Sequence, residues 1–360
     1  MTLTETVIMV KKMTPVVVIG GLVILIMIFG FQLTLLIVRQ QITGNISPIQ
    51  PTAAPIPEQE MSFGKLPVLK IPGGRESVGY TWILDTLDGT ARFEGERSDA
   101  KVYFIPKQIK SLTFESRIFN MAKQVGINTE QTPYEEVEDV ATFDDGKRKI
   151  EVNTLDFNFR YDYLITAEDN LIDDIDIGLE SAFLSSSANF LNKLNRYPVA
   201  ISSAKTNFSY FRIDPATRQI EPLESAARAN AVEVNYFPVD FDELPIVTST
   251  YYESQNYIFL LKTERDYSPI RASIQNFPIN IDNSGRYRLK TSTQAWEDLQ
   301  QGKGIIVSSP QESGEVRISR IFLAYYEPSE YQQYFQPVYV FLGENRFVVY
   351  VQAVSSDLIQ

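Results

Sequence analysis

The chain has 360 residues, a net charge of −12 and a pI near 4.7, and it contains neither cysteine nor histidine. This excludes disulfides and disulfide-linked partners, thiolate nucleophiles, Ser-His-Asp triads, thiolate zinc sites and proximal-histidine haem. Carboxylate acid/base chemistry, Ser-Lys or Thr nucleophiles and oxygen-ligated cations are what remain. Lys and Arg form no block, so a nucleic-acid footprint is missing, while 22 Phe and 19 Tyr are ample for real cores.

Residues 1–15 read as a short cytoplasmic tail. The run 16–38 carries no charge, and about 23 helical residues span roughly 34 Å, enough for a hydrocarbon core of about 30 Å. It is longer than the apolar part of a cleaved signal peptide and no small-residue cleavage site follows it. The reading is a single transmembrane helix anchored through Val16, Leu22, Ile26, Phe31 and Val38, so the lipid bilayer is the first expected partner. Lys11 and Lys12 before it, against Arg39 after it, favour a cytoplasmic N-terminus and an extracytoplasmic remainder. The linker 39–72 contains Pro48, Pro51, Pro55, Pro57, Pro67 and Pro72 and reads as a semi-rigid spacer.

Beyond the linker the expected fold class is α+β, in two antiparallel-sheet-plus-helix units at 73–177 and 178–360. Val78, Tyr80, Trp82 and Leu84 alternate with less apolar neighbours as in a half-buried strand, and Asp88-Gly89 reads as a hairpin turn before a strand over 102–105. Phe114, Ile118, Met121, Ala122 and Val125 share one helix face, with Gly126 as its stop. The parity slip at Asn153-Thr154, before a long strand 155–163, predicts a bulge or a break. Glu168, Asp169, Asp173, Asp174 and Asp176 hold a fragment of a calcium loop without its closing Glu; acids ahead of a helix N-terminus fit better. The helix itself is expected over 179–194. Further on, a short helix at 223–229, strands at 232–237 and 257–261 and a long irregular loop over 266–284 are expected. Then come a helix at 291–301 and strands at 316–326, 337–342 and 347–354, the last two joined by a four-residue turn.

Gln294-Ala295-Trp296-Glu297-Asp298-Leu299, Phe322-Leu323-Ala324-Tyr325-Tyr326, Gln336-Pro337-Val338-Tyr339-Val340-Phe341 and Val349-Tyr350-Val351-Gln352-Ala353-Val354 resemble the end of YycH/YycI-type proteins. More loosely, the helix-then-strands units, beginning near 111, 179 and 291, are similar to PepSY-type domains. The resemblance covers about the last 70 residues and the single-anchor topology. It implies a bacterial membrane-anchored regulator that contacts a sensor kinase and performs no catalysis.

The nucleophile-elbow, P-loop and dinucleotide motifs do not occur. No catalytic residue, metal ligand or cofactor is therefore assigned. The expected function is an anchored extracytoplasmic protein that binds and regulates or scaffolds another envelope protein. The alternatives are a glycan- or peptide-binding envelope module and a carboxylate-dependent hydrolase. Tyr325, Tyr326, Tyr331, Tyr334 and Phe335 form the candidate partner surface, since tyrosine offers rigid area with a polar tip; packing inside a sheet is the competing explanation.

Overall fold

The structure, a computed structural model, describes residues 62–169, 171–172 and 176–360. The expected anchor, with Val16, Leu22, Ile26, Phe31 and Val38, lies outside the described residues. Among the described residues no helix is long and apolar enough to cross a membrane.

In chain order the first elements are β1 (Arg75–Glu76), β2 (Tyr80–Leu84), β3 (Asp99–Phe104), α1 (Phe114–Gln124), β4 (Tyr134–Val137), β5 (Val140–Asp144), β6 (Arg148–Asn153) and β7 (Phe159–Tyr163). There follow α2 (Glu180–Lys193), α3 (Val199–Ser202), β8 (Lys205–Ile213), β9 (Ile220–Leu223), β10 (Ala231–Phe237), β11 (Ile246–Val247), β12 (Tyr257–Lys262) and β13 (Tyr267–Ile274). The last are β14 (Asn280–Arg288), α4 (Ser292–Gln300), β15 (Ile305–Ser308), β16 (Gly314–Tyr326), β17 (Tyr334–Gly343) and β18 (Val348–Gln352).

The expected α+β class is corrected here. The described chain is mostly β, in two nine-stranded sheets, and its helices are few and short. Nor do the sheets follow a division at 177/178, because β7 before it pairs β13 after it, and β3 pairs β17. Residues 55–360 cluster as one unit.

The second sheet runs β4-β5-β6-β7-β13-β12-β10-β8-β9, with antiparallel pairing throughout. Ile118 and Met121 of α1 and Phe183 and Leu191 of α2 pack on one face against Phe143, Val152, Val234 and Leu260. Fully burying each such side chain contributes about 1.5–3 kcal/mol. The parity slip is a true break: Asn153 Oδ1 accepts the N–H groups of Leu155 (2.9 Å) and Asp156 (3.3 Å), and Phe157 takes a φ of 62° before β7 begins. The long loop expected over 266–284 is corrected to two strands, β13 and β14. Pro269 hid β13. Its missing N–H is absorbed where the register with β12 slips between Phe259 and Leu260. The helix expected at 223–229 is absent, and the strand β9 ends at Leu223 instead.

The first sheet runs β1-β15-β18-β17-β16-β11; β2 also pairs β16, and β3 joins β17 to β14. The expected 88–89 hairpin is corrected too. Asp88 closes an Asx-type turn by accepting from Thr90 N–H (3.0 Å), but β2 leaves to pair β16 and β3 to pair β14. Helix α4 starts on a capping box, with Thr291 Oγ1 accepting from Gln294 N–H (3.1 Å) and Gln294 Oε1 from Thr291 N–H (2.9 Å). β17 and β18 are buried at nearly every position, as expected of central strands. The helix-then-strands order behind the PepSY-like resemblance recurs: α1 precedes β4–β7, α2 precedes β8–β10, and α4 precedes β15–β18.

Candidate functional site

The five aromatic candidates do not make one surface. Tyr325, Tyr326 and Phe335 are fully buried, Tyr325 and Phe335 stacked at 4.8 Å between centroids. Tyr325 donates its hydroxyl to the Lys101 carbonyl (2.9 Å), and burial raises the pKa of that hydroxyl far above its ordinary value. Tyr334 packs against Phe63 (5.0 Å), and Tyr331, partly exposed, donates to the Ile105 carbonyl (3.1 Å). Tyr325 and Tyr326, consecutive on β16, point to opposite faces of the sheet and are both buried because each face is covered, which is the packing explanation.

The strand that carries Tyr325 has an unusual edge. β16 is paired along one side by β17. On the other side β2 runs parallel to its start, Gly314 to Ile318, and β11 runs parallel to its end, at Tyr325 and Tyr326. Residues 319–324 lie between them with no strand partner on this side among the described residues. At about 3.3 Å per residue this is a slot of roughly 20 Å.

The direction of the backbone groups in that slot follows from three observations. Tyr325 N–H donates to the Pro245 carbonyl (2.9 Å) and Glu327 N–H to the Val247 carbonyl (2.8 Å), so both face the β11 side. Alternate residues share a side, so the N–H and C=O groups of Leu323 and Ile321 face the same way, into the gap. Pro337 gives the phase independently. It sits opposite Tyr325, and its carbonyl accepts Ala353 N–H (3.1 Å) on the far side of β17, so this pair exchanges no bond across the ladder. At the other end Ile318 accepts Asp85 N–H (2.8 Å), and the register shift between Ile318 and Arg320 is the bulge that changes the parity. Two donors and two acceptors thereby lack a ladder partner on that side, within residues that are themselves buried.

They open into a groove of about 600 Å³, lined among others by Phe93, Val247, Tyr251, Arg320, Phe322 and Leu323. Side chains of Ile321 and Leu323 are buried in the core below. At the β11 end Arg97 pairs with Glu243 (3.0 Å). Nearby, Tyr103 is pushed up to about 12 by burial and by Asp242. Just past the groove the Tyr326 hydroxyl is buried without a hydrogen-bond partner, and burial pushes the Glu327 carboxyl up to about 7 against the opposing effect of the Gln255 amide.

A second cleft, about 370 Å³, has Asp139, Glu151, Asp156 and Tyr331 in its wall. Glu151 is held by Lys149 (2.6 Å), and burial raises the Asp156 carboxyl against the hydrogen bond it accepts from Asn158 N–H (2.8 Å). Among the described residues no three acidic side chains converge as metal ligands. Of the acidic run, Asp169 ties a loop down by accepting from Lys147 (2.9 Å), Tyr163 (2.6 Å) and the Thr166 N–H (2.7 Å); Asp173 and Asp174 lie outside the described residues.

The sequence reading missed Arg320, Tyr251 and β11, the walls of the groove. The available signal was Ile246-Val247 after Pro245, too short to stand out as a strand.

No protein-family model and no curated protein matches the chain. Among solved structures it is similar to an uncharacterized protein from Eubacterium rectale, at 12% identity and TM-score 0.33, over 75% of this chain and 85% of that one. It is also similar to the Bacillus megaterium YpeB C-terminal domain, at 11% identity and TM-score 0.28, over 69% of this chain and 95% of that one. Values this low carry no argument about function.

Proposed function

We propose that the protein is an extracytoplasmic binding protein that takes an extended segment of another envelope protein onto the open edge of β16, and so regulates or scaffolds that partner. In this reading the uncharged run 16–38 holds it at the membrane. One observation carries the proposal: the backbone groups of Ile321 and Leu323 have no ladder partner on the β2/β11 side, where a groove walled by Arg320, Phe322 and Leu323 lies between two strands that already run parallel to β16. An added strand would replace water on those groups and set alternate side chains against Phe322 on one face and Phe93 on the other. The role also agrees with what the YycH/YycI-like residues of 294–354 imply, although no family model reproduces that resemblance.

The test is a photoreactive side chain replacing Phe322 in the full-length protein, irradiated in native membranes, with the same probe at the exposed Glu221 of the second sheet as control. Recovery of one protein partner from position 322 and not from 221 is the expected result. Adducts with lipid or glycan alone, or equal labelling from both positions, would overturn the proposal.

A further inference from the structure

We infer that the guest of the β16 groove carries a carboxylate at the end lying over Arg320, on the side from which Arg346 approaches through Tyr252 and Tyr251, and is neither neutral nor uniformly acidic. This rests on the strand-addition reading above and adds the chemistry of the guest.

The groove is electrically polarised. At the β11 end, beside Tyr325, the guanidinium of Arg97 is already neutralised by Glu243 (3.0 Å), and Glu94 adds a second carboxylate to the wall. At the β2 end the balance reverses. Arg320 is exposed, lies 5.3 Å from the ring centroid of Phe322, and has no carboxylate within ion-pair distance among the described residues. Tyr251 stands beside it: burial raises its hydroxyl, Tyr252 adds to the rise and Arg320 opposes it. Tyr251 and Tyr252 meet edge to face at 4.9 Å, and the Arg346 guanidinium lies 4.3 Å from the Tyr252 centroid. Arg346 likewise has no acidic partner among the described residues and is exposed at the turn between β17 and β18.

Two guanidiniums are thus laid against aromatic rings, Arg320 in the groove wall and Arg346 outside it, reached through the Tyr251–Tyr252 pair. Such contact restrains the planar fork while leaving N–H donors open, and a carboxylate is the group that fork fits in a bidentate way. The chain as a whole carries −12, so a uniformly acidic guest is repelled everywhere else, and by Glu94 and Glu243 in particular. A single acidic end satisfies both constraints.

The experiment is selection of randomised octapeptides on the full-length protein in nanodiscs, followed by affinity measurement at two salt concentrations. The expected outcome is enrichment of Asp or Glu at one end only, with affinity falling about tenfold on Arg320→Gln or Arg346→Gln and falling with added salt. N-methylating alternate peptide bonds should abolish binding. If enriched peptides lack an acid yet still lose binding on N-methylation, the carboxylate inference fails and strand addition stands. If no peptide is enriched, or N-methylation is without effect, the strand-addition reading itself fails. Binding of phosphatidylglycerol vesicles through these arginines, in place of peptides, overturns the inference as well.

Discussion

The two sheets are built from the same number of strands, yet they use them differently. The second sheet is a continuous antiparallel series in which each interior strand has one partner strand on each side, although β8 meets β9 only at Tyr210–Ile213 and β13 meets β7 only at Arg271–Ile274, with α1 and α2 covering one face. The first sheet collects strands from distant parts of the chain, and β16, although interior, has one flank shared between two short parallel partners. Complete ladders stabilise; an interrupted ladder inside a buried sheet presents ordered, unsatisfied backbone groups at a fixed place. The first sheet thus holds the candidate binding edge, and the second is the more regular scaffold.

Amide exchange separates these roles most widely. The N–H groups of Ile321 and Leu323 should exchange at least a hundredfold faster than those of Phe322 and Ala324, which face β17, and faster than any interior amide of β10 or β12. Equal protection within β16 would mean that the gap is closed. Next comes the core of the second sheet. Phe183→Ala removes a fully buried ring between α2 and the sheet and should cost about 3–5 kcal/mol in denaturant unfolding, while leaving the groove to its own chemistry.

Glu327 gives a smaller effect with a definite sign. Its folded pKa is raised from 4.5 to about 7, so between those values the folded state binds more protons than the unfolded one. Stability should fall as pH rises through that window, by about 3 kcal/mol in all, and be flat above it. Glu327→Gln should remove the dependence, raising Tm at pH 8 by several degrees and changing little at pH 4; an unchanged profile would show that the carboxyl is solvated. The smallest effect is expected for Arg320→Gln, within about 0.5 kcal/mol of the parent in stability, because the side chain is exposed and unpaired. A larger loss would make Arg320 structural.

The contrast also explains what the sequence disclosed. Helices α1, α2 and α4 were legible because each repeats its apolar residues at helical spacing and stops near a glycine or a basic last turn. β17 and β18 were legible as apolar runs. The second sheet was partly hidden, since Pro269 sits in β13 where only a local register slip makes a proline tolerable. The groove was hidden altogether. It depends on Asp85 meeting Ile318 across more than two hundred residues and on Pro245 meeting Tyr325 at the other end, and on the side from which β2 and β11 approach β16, none of which has a local pattern. The tyrosines drew notice by their number, but whether each faces core or solvent was decided by the pairing of their strands.

Because the first sheet is assembled from both halves of the described chain, its order of formation is constrained. β2 and β3 leave the ribosome long before β16 and β17, the strands they pair with, and Leu66 N–H finds its acceptor only at Leu358. Helix α1 and β4–β7 can pair locally meanwhile, whereas β3 has nothing to dock on until β14 arrives, and β1 and β2 wait for the final 50 or so residues. During synthesis the earliest strands are thus the last to be protected. A chain arrested before β16 would show them as sticky, unpaired edges and a natural target for chaperones or proteases.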